Sequence, residues 1–152
     1  MHIQLYCTIL DTMFEECLYF NSNTLARTVS RIWTNAYRQV NLSPPHAFLL
    51  RLVLAKPGLF PREIADELNL SRSTITRFLD SLEKRNLLVR KPTEKDGREL
   101  RVYPTQAATV VHQELDKIGK DLTELMAKLV GKDELPQMVV TLREMQKLLI
   151  EA

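Results

Sequence analysis

Apolar residues recur at helical spacing along most of this chain, so the sequence predicts a mainly α-helical protein. The first long helix spans residues 14–40 and ends in the stretch 41–45, which contains asparagine and proline. A second helix, residues 46–55, is apolar on nearly every side and should be buried at the centre of a domain. Residues 1–12 have a mixed pattern that fits either an extended arm or the start of a helix.

Two further helices are predicted near the end of the chain, residues 106–130 and a run that follows Gly131 and Lys132. Their apolar residues step by three and four positions: Val111, Leu115, Ile118, Leu122, Leu125 and Leu129, then Leu135, Met138, Leu142, Met145 and Leu149. This spacing favours helix-on-helix packing at shallow angles. The two runs could pack on each other within one chain. A homodimer is favoured, because one small domain cannot cover both runs and the first long helix.

Residues 60–101 predict two short helices followed by a β-hairpin. The first helix, residues 61–68, starts with a proline, which suits the first helical position. The second, residues 71–85, has Ser71 as its N-cap. Four apolar residues of the second helix form one stripe that should face a core: Ile75, Phe78, Leu79 and Leu82. A short helix, a tight turn at Asn69-Leu70 and a polar second helix are typical of a helix-turn-helix.

The outer face of the second helix is rich in arginine and short hydroxyl side chains. Serine and threonine are weak helix formers, so their concentration in the first turns favours a role other than helix stability. Arginine can donate two hydrogen bonds to guanine, and hydroxyls can reach phosphates or base edges. We therefore predict a face that binds double-stranded DNA through Arg72, Ser73, Thr74, Thr76 and Arg77.

The predicted hairpin begins after Asn86, which should end the helix, and turns at Asp96-Gly97. It is basic along its whole length: Arg90, Lys91, Lys95, Arg98 and Arg101. A basic hairpin tip beside a recognition helix can reach phosphates or the neighbouring minor groove.

The hairpin resembles the wing of the MarR (multiple antibiotic resistance regulator) family, whose signature is Asp, any residue, Arg, then a strand that ends in Leu-Thr, with a Gly shortly after. Asp96, Arg98 and Thr105 match this signature, whereas Pro104 and Ala108 replace the usual Leu and Gly. The order of helices is similar over nearly the whole chain. The resemblance implies that Arg98 enters the minor groove and that Asp96 holds it in place, with Lys95 on the same basic tip.

The predicted fold class is mainly α with a small β-hairpin wing: a winged helix-turn-helix plus long N- and C-terminal dimerisation helices. Residues 43–105 would form the DNA-binding region, and residues 1–40 and 106–152 the helical dimerisation region, in one compact chain without an independent linker. The resemblance also implies a homodimer, in which the first helix and the C-terminal pair of helices interleave across a two-fold axis. A two-fold dimer would match a palindromic site with half-sites about 34–36 Å apart.

The distribution of charge supports this prediction more than its total does. The 152 residues, enough for one domain with a proper core, carry a net charge of only +2. Residues 71–101 hold nine Lys or Arg against five Asp or Glu, so the positive charge is concentrated in the predicted DNA-binding elements. Charge alone would fit a chance cluster on a solvated surface equally well.

Several other classes of protein are disfavoured. Cys7 and Cys17 make neither a disulfide framework nor a zinc site, and the three histidines are scattered, so we expect no metal and no cofactor. The chain has no phosphate-binding glycine loop and no nucleophile-base arrangement, which argues against an enzyme. It also lacks a secretory signal and an apolar run near the roughly 20 residues of a membrane helix, so the expected location is the cytoplasm.

The resemblance implies a transcriptional regulator, and favours a repressor that a small aromatic or phenolic molecule releases from DNA. Such a ligand would bind where the dimer helices meet the winged domain. Four aromatic residues fall in the segments expected there: Trp33, Tyr37, His46 and Phe48. Ordinary core packing is the alternative and is favoured for these residues.

Two other regulatory or binding roles stay open. One branch of the family senses organic hydroperoxides through a cysteine near the start of the first helix, and Cys17 lies in a comparable place. The tyrosines that this branch carries four and fourteen residues later are Asn21 and Arg31 here, so a buried, inert thiol is favoured. A winged helix that binds only protein is the other alternative, and it would show apolar anchors on the outer face of its second helix.

Overall fold

The structure, a computed structural model, describes residues 14–93 and 99–151. The described chain contains one 3-10 turn, Arg38–Val40, and the following helices and strands: α1 Leu18–Tyr37, α2 Pro44–Ala55, α3 Pro61–Leu68, α4 Arg72–Lys84, β1 Leu88–Pro92, β2 Leu100–Pro104, α5 Gln106–Val130 and α6 Glu134–Glu151. The predicted class, mainly α with a small β-hairpin, is confirmed. The helix predicted over residues 106–130 has the predicted bounds.

The chain divides into two compact units, of which the first ends at Pro44 and the second begins at Pro45. The long helix of the first unit starts at Leu18, four residues later than predicted, because Cys17 has an extended backbone with φ −80° and ψ 109°. The side-chain amide of Asn21 lies 2.8–3.0 Å from the carbonyl oxygens of Phe14, Glu15 and Cys17. This amide therefore satisfies the backbone at the break, which helical periodicity alone does not reveal.

Three helical segments end in the same way, at an Asn-Leu pair. Asn41, Asn69 and Asn86 have positive φ angles of 53°, 51° and 56°, a conformation that asparagine tolerates better than most residues. Each following leucine donates its backbone N–H to the carbonyl five residues earlier: Leu42 to Tyr37 (3.2 Å), Leu70 to Ala65 (2.9 Å) and Leu87 to Leu82 (3.0 Å). These bonds satisfy carbonyls at the helix ends and set the tight turns around α3 and α4.

The core of the second unit centres on α2, which begins at Pro44, two residues earlier than predicted. This helix buries Ala47, Leu49, Leu50 and Val53, whereas Phe48 is 43% exposed, so it is buried along one side and not on nearly every side as predicted. The other fully buried side chains come from α3, α4, β2 and α5: Ile64, Ile75, Leu79, Leu82, Val102, Ala108 and Leu115. The predicted apolar stripe of α4 is thus confirmed at three positions. The fourth, Phe78, is half-buried against the His46 ring, at a centroid distance of 4.5 Å.

The two strands of the hairpin are antiparallel, with Leu88 opposite Pro104 and Pro92 opposite Leu100. A third segment joins them, because Gly58 N–H donates to the Val102 carbonyl (2.8 Å) and Val102 N–H donates to the Leu59 carbonyl (2.9 Å). The sequence did not predict this bridge, which ties the hairpin to the loop before α3. Gly58 has φ +87°, which larger residues rarely adopt, and an added Cβ would lie 3.2 Å from the Tyr103 hydroxyl. A larger residue at this position would therefore strain the backbone where the loop meets the hairpin.

The Thr105 hydroxyl connects the hairpin, the end of α4 and the start of α5. It accepts the Ala108 N–H as the N-cap of α5 (3.3 Å) and donates to the Asn86 carbonyl (2.6 Å). Thr105→Val should therefore lower the free energy of unfolding by about 1–2 kcal/mol, measured by urea denaturation. Thr109→Val is the matched control, because its hydroxyl bonds only the carbonyl one turn back. Equal effects of the two substitutions would contradict this role of Thr105.

Candidate nucleic-acid interface

The first turn of α4 is organised by a cluster of three hydroxyls. Ser71 Oγ accepts the Thr74 N–H (3.2 Å), as predicted for the N-cap. The same oxygen lies 3.0 Å from Ser73 Oγ and 2.8 Å from Thr74 Oγ1. Thr74 is half-buried within this cluster, whereas Ser73 is exposed. Of the two, Ser73 is therefore the better presented for contact with a partner.

The outer face of α4 is exposed as the sequence predicted, at Arg72, Ser73, Thr76 and Arg77. Thr76 Oγ1 donates to the Arg72 carbonyl (3.0 Å), so its oxygen is left to act as an acceptor. Further along the same face, Arg77 lines a shallow depression together with Lys84 and Arg85. This surface offers hydrogen-bond donors from arginine and an acceptor from threonine.

Arg90 has a structural role that the sequence did not reveal, since it was grouped with the basic residues of the hairpin. Its guanidinium forms ion pairs with Asp80 and Glu83 of α4, and its Nε lies 3.0 Å from Glu83 Oε2. The hydrogen bond from Arg90 lowers the pKa of Glu83, and the reciprocal bond from Glu83 raises the pKa of Arg90. The pair joins β1 to α4 and neutralises two carboxylates beside the outer face.

Arg101 is also engaged within the protein. Its Nη1 donates to the Gly58 carbonyl (2.6 Å), and its guanidinium lies 4.1 Å from the centroid of the Phe60 ring. Lys91 is exposed and stands 5.5 Å from the centroid of the Tyr103 ring. The three residues predicted at the wing tip, Lys95, Asp96 and Arg98, lie outside the described residues, so their contact with DNA stays a prediction.

A crevice of about 360 Å³ separates the first turns of α4 from the hairpin. Its lining comes from three elements: Phe60, Pro61, Arg62, Arg72, Thr76, Glu99 and Leu100. Arg62 and Glu99 were not among the predicted site residues. A signal for Arg62 was present in the sequence, because a positive charge in the first turn of a helix opposes the helix dipole.

The four aromatic residues proposed for a small-molecule site lie on two helices. Trp33 is half-buried and Tyr37 fully buried on α1, in the first unit. On α2, the His46 ring lies against the Phe78 ring at a tilt of 43°. Burial, with a smaller effect of the nearby Arg85 charge, lowers the pKa of His46. A role of these residues in ligand binding stays a prediction.

One cavity of the second unit has a polar lining that the sequence did not predict. It encloses about 370 Å³ between α2 and α5 and is lined by Arg51, Asp116, Gly119, Lys120, Thr123 and Glu124. Arg51 pairs with Asp116 at 3.2 Å across it.

Cys17, the residue considered for redox sensing, carries a free thiol and is half-buried just before α1. Residues 14–93 and 99–151 hold no cluster of three potential metal ligands. Over the same residues, no helix has both the length and the apolar character that crossing a membrane requires.

An exposed helix of arginine and hydroxyls, set beside a basic hairpin in a helix-turn-helix, defines a winged-helix protein of the transcriptional-regulator class. The model of the MarR family matches residues 40–99. The regulator MgrA of Staphylococcus aureus is 24% identical over 131 residues, which cover 76% of this chain and 89% of MgrA. The resemblance to the MarR family is therefore confirmed over residues 40–99, and proteins of this family are transcriptional regulators and not enzymes.

Solved structures share this fold. The transcriptional repressor CouR, bound to a 23-mer DNA duplex, is 24% identical with a TM-score of 0.78, over 87% of this chain and 94% of CouR. The regulator PcaV from Streptomyces coelicolor, in complex with its natural ligand, is 22% identical with a TM-score of 0.75, over 86% of this chain and 95% of PcaV. The predicted winged-helix architecture is therefore confirmed.

Arg90→Met tests how much the ion pairs between β1 and α4 contribute to stability. At neutral pH we expect the free energy of unfolding to fall by about 1–2 kcal/mol, because two carboxylates lose their shared partner. The lowered pKa of Glu83 means that this contribution is present above its ordinary pKa of 4.5 and disappears as the pH falls through the lower folded value.

Urea denaturation from neutral pH down to about pH 3 would follow the difference between wild type and variant. Lys91→Met, on the same strand, removes an equal charge and should leave stability nearly unchanged. A difference that persists undiminished at the acid end would show that the ion pairs are not its cause.

Proposed function

We propose that the protein is a homodimeric, sequence-specific repressor that binds a palindromic operator and is released from it by a small-molecule ligand. The observation that carries this proposal is the exposed outer face of α4, which presents arginine and hydroxyl groups beside the hairpin. Support for repression comes from CouR, which is named a transcriptional repressor and was solved on DNA. Support for a ligand comes from PcaV, which was solved with one.

In the proposed complex α4 lies in the major groove and reads base edges. Arg77 would donate two hydrogen bonds to the O6 and N7 acceptors of guanine, a contact worth about 1–3 kcal/mol of discrimination. The Thr76 hydroxyl donates to the Arg72 carbonyl, so its oxygen would accept from the amino group of cytosine or adenine. Contacts to phosphates would supply most of the affinity and make it fall steeply with salt.

Support for the dimer comes from apolar surface that a single chain leaves uncovered. Helix α6 has no buried residue among those described, and its large apolar side chains are 44–69% exposed: Met138, Val139, Val140, Leu142, Leu148, Leu149 and Ile150. Leu129 and Val130, at the end of α5, are also exposed. Many large apolar side chains exposed on one helix are typical of a protein interface. A second copy of the chain would cover it and place the two α4 helices for a palindrome.

The ligand would be a small aromatic or phenolic molecule, for which Trp33 and Tyr37 of the first unit and His46 and Phe48 of the second unit are separate candidate contacts. Release from DNA requires that the ligand bind one arrangement of the two reading helices more tightly than the other. The proposal thus assigns the ligand a preference for the arrangement that does not fit the operator.

A protein-binding winged helix is the rival function. It would need aromatic or aliphatic anchors at the centre of the exposed face of α4. Arg72, Ser73, Thr76 and Arg77 occupy that face instead, which favours nucleic acid.

Selection of bound duplexes from a random pool tests the proposal most directly. We expect the recovered sequences to share a palindrome whose half-sites are one helical turn apart, about 34–36 Å between centres. The mass of the protein in solution, measured by light scattering, should be that of a dimer. Recovery of no common sequence, or of single half-sites only, would contradict the proposed function.

Arg77→Ala tests the assignment of one side chain to base reading. We expect the affinity for the selected duplex to fall about tenfold or more, with relaxed preference at one base position. Lys84→Ala, an equal charge change near the other end of α4, is the control and should affect selected and mixed-sequence duplexes alike. If Arg77→Ala keeps the wild-type ratio of the two affinities, Arg77 does not read a base.

A further inference from the structure

The crevice between α4 and the hairpin contains a pair of opposite charges, neither of which belongs to the residues proposed to contact bases. Arg62 Nη1 lies 3.2 Å from Glu99 Oε1 and connects the first turn of α3 to the start of β2. Their side chains are 55% and 45% exposed, so both charges face solvent. Both residues line the crevice together with Arg72 and Thr76 of α4.

The position of Arg62 is determined by more than Glu99. Its guanidinium carbon lies 4.8 Å from the centroid of the Phe60 ring, and Arg101 lies 4.1 Å from the same centroid. Such cation–π contacts hold a guanidinium in place without neutralising it. The first turn of α3 is also a place where the helix dipole favours an anion. Arg62 is therefore a preformed cation at a position suited to an anionic partner.

The geometry of a winged helix on DNA identifies that partner. In the proposed complex α4 occupies the major groove, and the hairpin tip reaches the neighbouring minor groove. One sugar-phosphate chain separates these two grooves, so it must pass between α4 and the hairpin, over the crevice. A phosphate there would come within reach of the Arg62 and Arg72 guanidiniums, which can both donate hydrogen bonds to it. Glu99 is the carboxylate that lines the same crevice.

We infer that the crevice is a binding site for a DNA phosphate, and that Arg62 exchanges its bond to Glu99 for a bond to this phosphate when DNA binds. The inference rests on the proposed function, because it needs the duplex to be seated on α4. Arginine suits the exchange, since its planar guanidinium can donate two parallel hydrogen bonds to phosphate. An exposed ion pair is weak and easily replaced. Glu99 accordingly competes with DNA for Arg62 and lowers the affinity for any duplex.

The exchange predicts effects of opposite sign for the two partners. Glu99→Gln should bind a mixed-sequence duplex about three- to tenfold more tightly, because it removes the competing carboxylate. The slope of log affinity against log salt should not change, since the same phosphates are contacted. Arg62→Met should bind about three- to tenfold more weakly, and its salt slope should be smaller by about one, the loss of one phosphate contact.

Glu67→Gln is the matched control for Glu99→Gln. Glu67 lies on α3, pairs with Lys56 at 2.6 Å and is as exposed as Glu99, but it does not line the crevice. Its substitution makes the same change in net charge and should leave affinity within about twofold of wild type. Thermal unfolding of each variant establishes that all are folded before binding is compared.

These measurements distinguish a phosphate-binding site from an ion pair whose only role is to hold the hairpin against α3. If the pair only clamps the hairpin, Glu99→Gln and Arg62→Met should both weaken binding, and the salt slope of Arg62→Met should equal that of wild type. Either result overturns the inference, as does a Glu99→Gln variant that binds no more tightly than Glu67→Gln. Failure of the wild-type protein to retain any duplex would instead refute the proposed function itself.

Discussion

Burial of Ile75, Leu79 and Leu82 determines which way helix α4 faces, and exposure of the predicted DNA-binding surface depends on that orientation. A helix with one apolar stripe has no freedom to rotate once the stripe enters the core, because turning it would expose three large side chains to water. Arg72, Ser73, Thr76 and Arg77 are thereby held on the outside. Exposure of the predicted DNA-binding face is in this sense a consequence of how the opposite face of the same helix packs.

Arginines of α4 and of the hairpin have two different roles. Arg90 and Arg101 hold the hairpin, one through the carboxylates of α4 and the other through the Gly58 carbonyl and the Phe60 ring. Arg72 and Arg77 project from α4. The internal pairs also neutralise Asp80 and Glu83, which would otherwise repel a phosphate chain beside the reading face. A net charge of +2 therefore understates how positive that face is.

Helices α1 and α6 differ from the core around α2 because many of their apolar side chains are exposed. The core around α2 is closed within one chain, whereas α6 leaves Leu142, Leu148 and Leu149 more than half exposed. The first helix also exposes Leu18 and Tyr19. The exposed apolar side chains of α1 and α6, together with a closed core around α2, support the proposed dimer.

The sequence by itself determined the elements and the orientation of α4, because periodicity, N-caps and Asn-Leu pairs act within about five residues. It thereby predicted the exposed arginine and hydroxyl face. Only the tertiary structure decided which basic residues of the hairpin are engaged internally. Arg101 donates to the Gly58 carbonyl, 43 residues earlier in the chain, and the bridge from Leu59 to Val102 spans the same separation. Arg62 pairs with Glu99, 37 residues later. Packing of the whole second unit brings these partners together, so local patterns in the sequence do not predict their contacts.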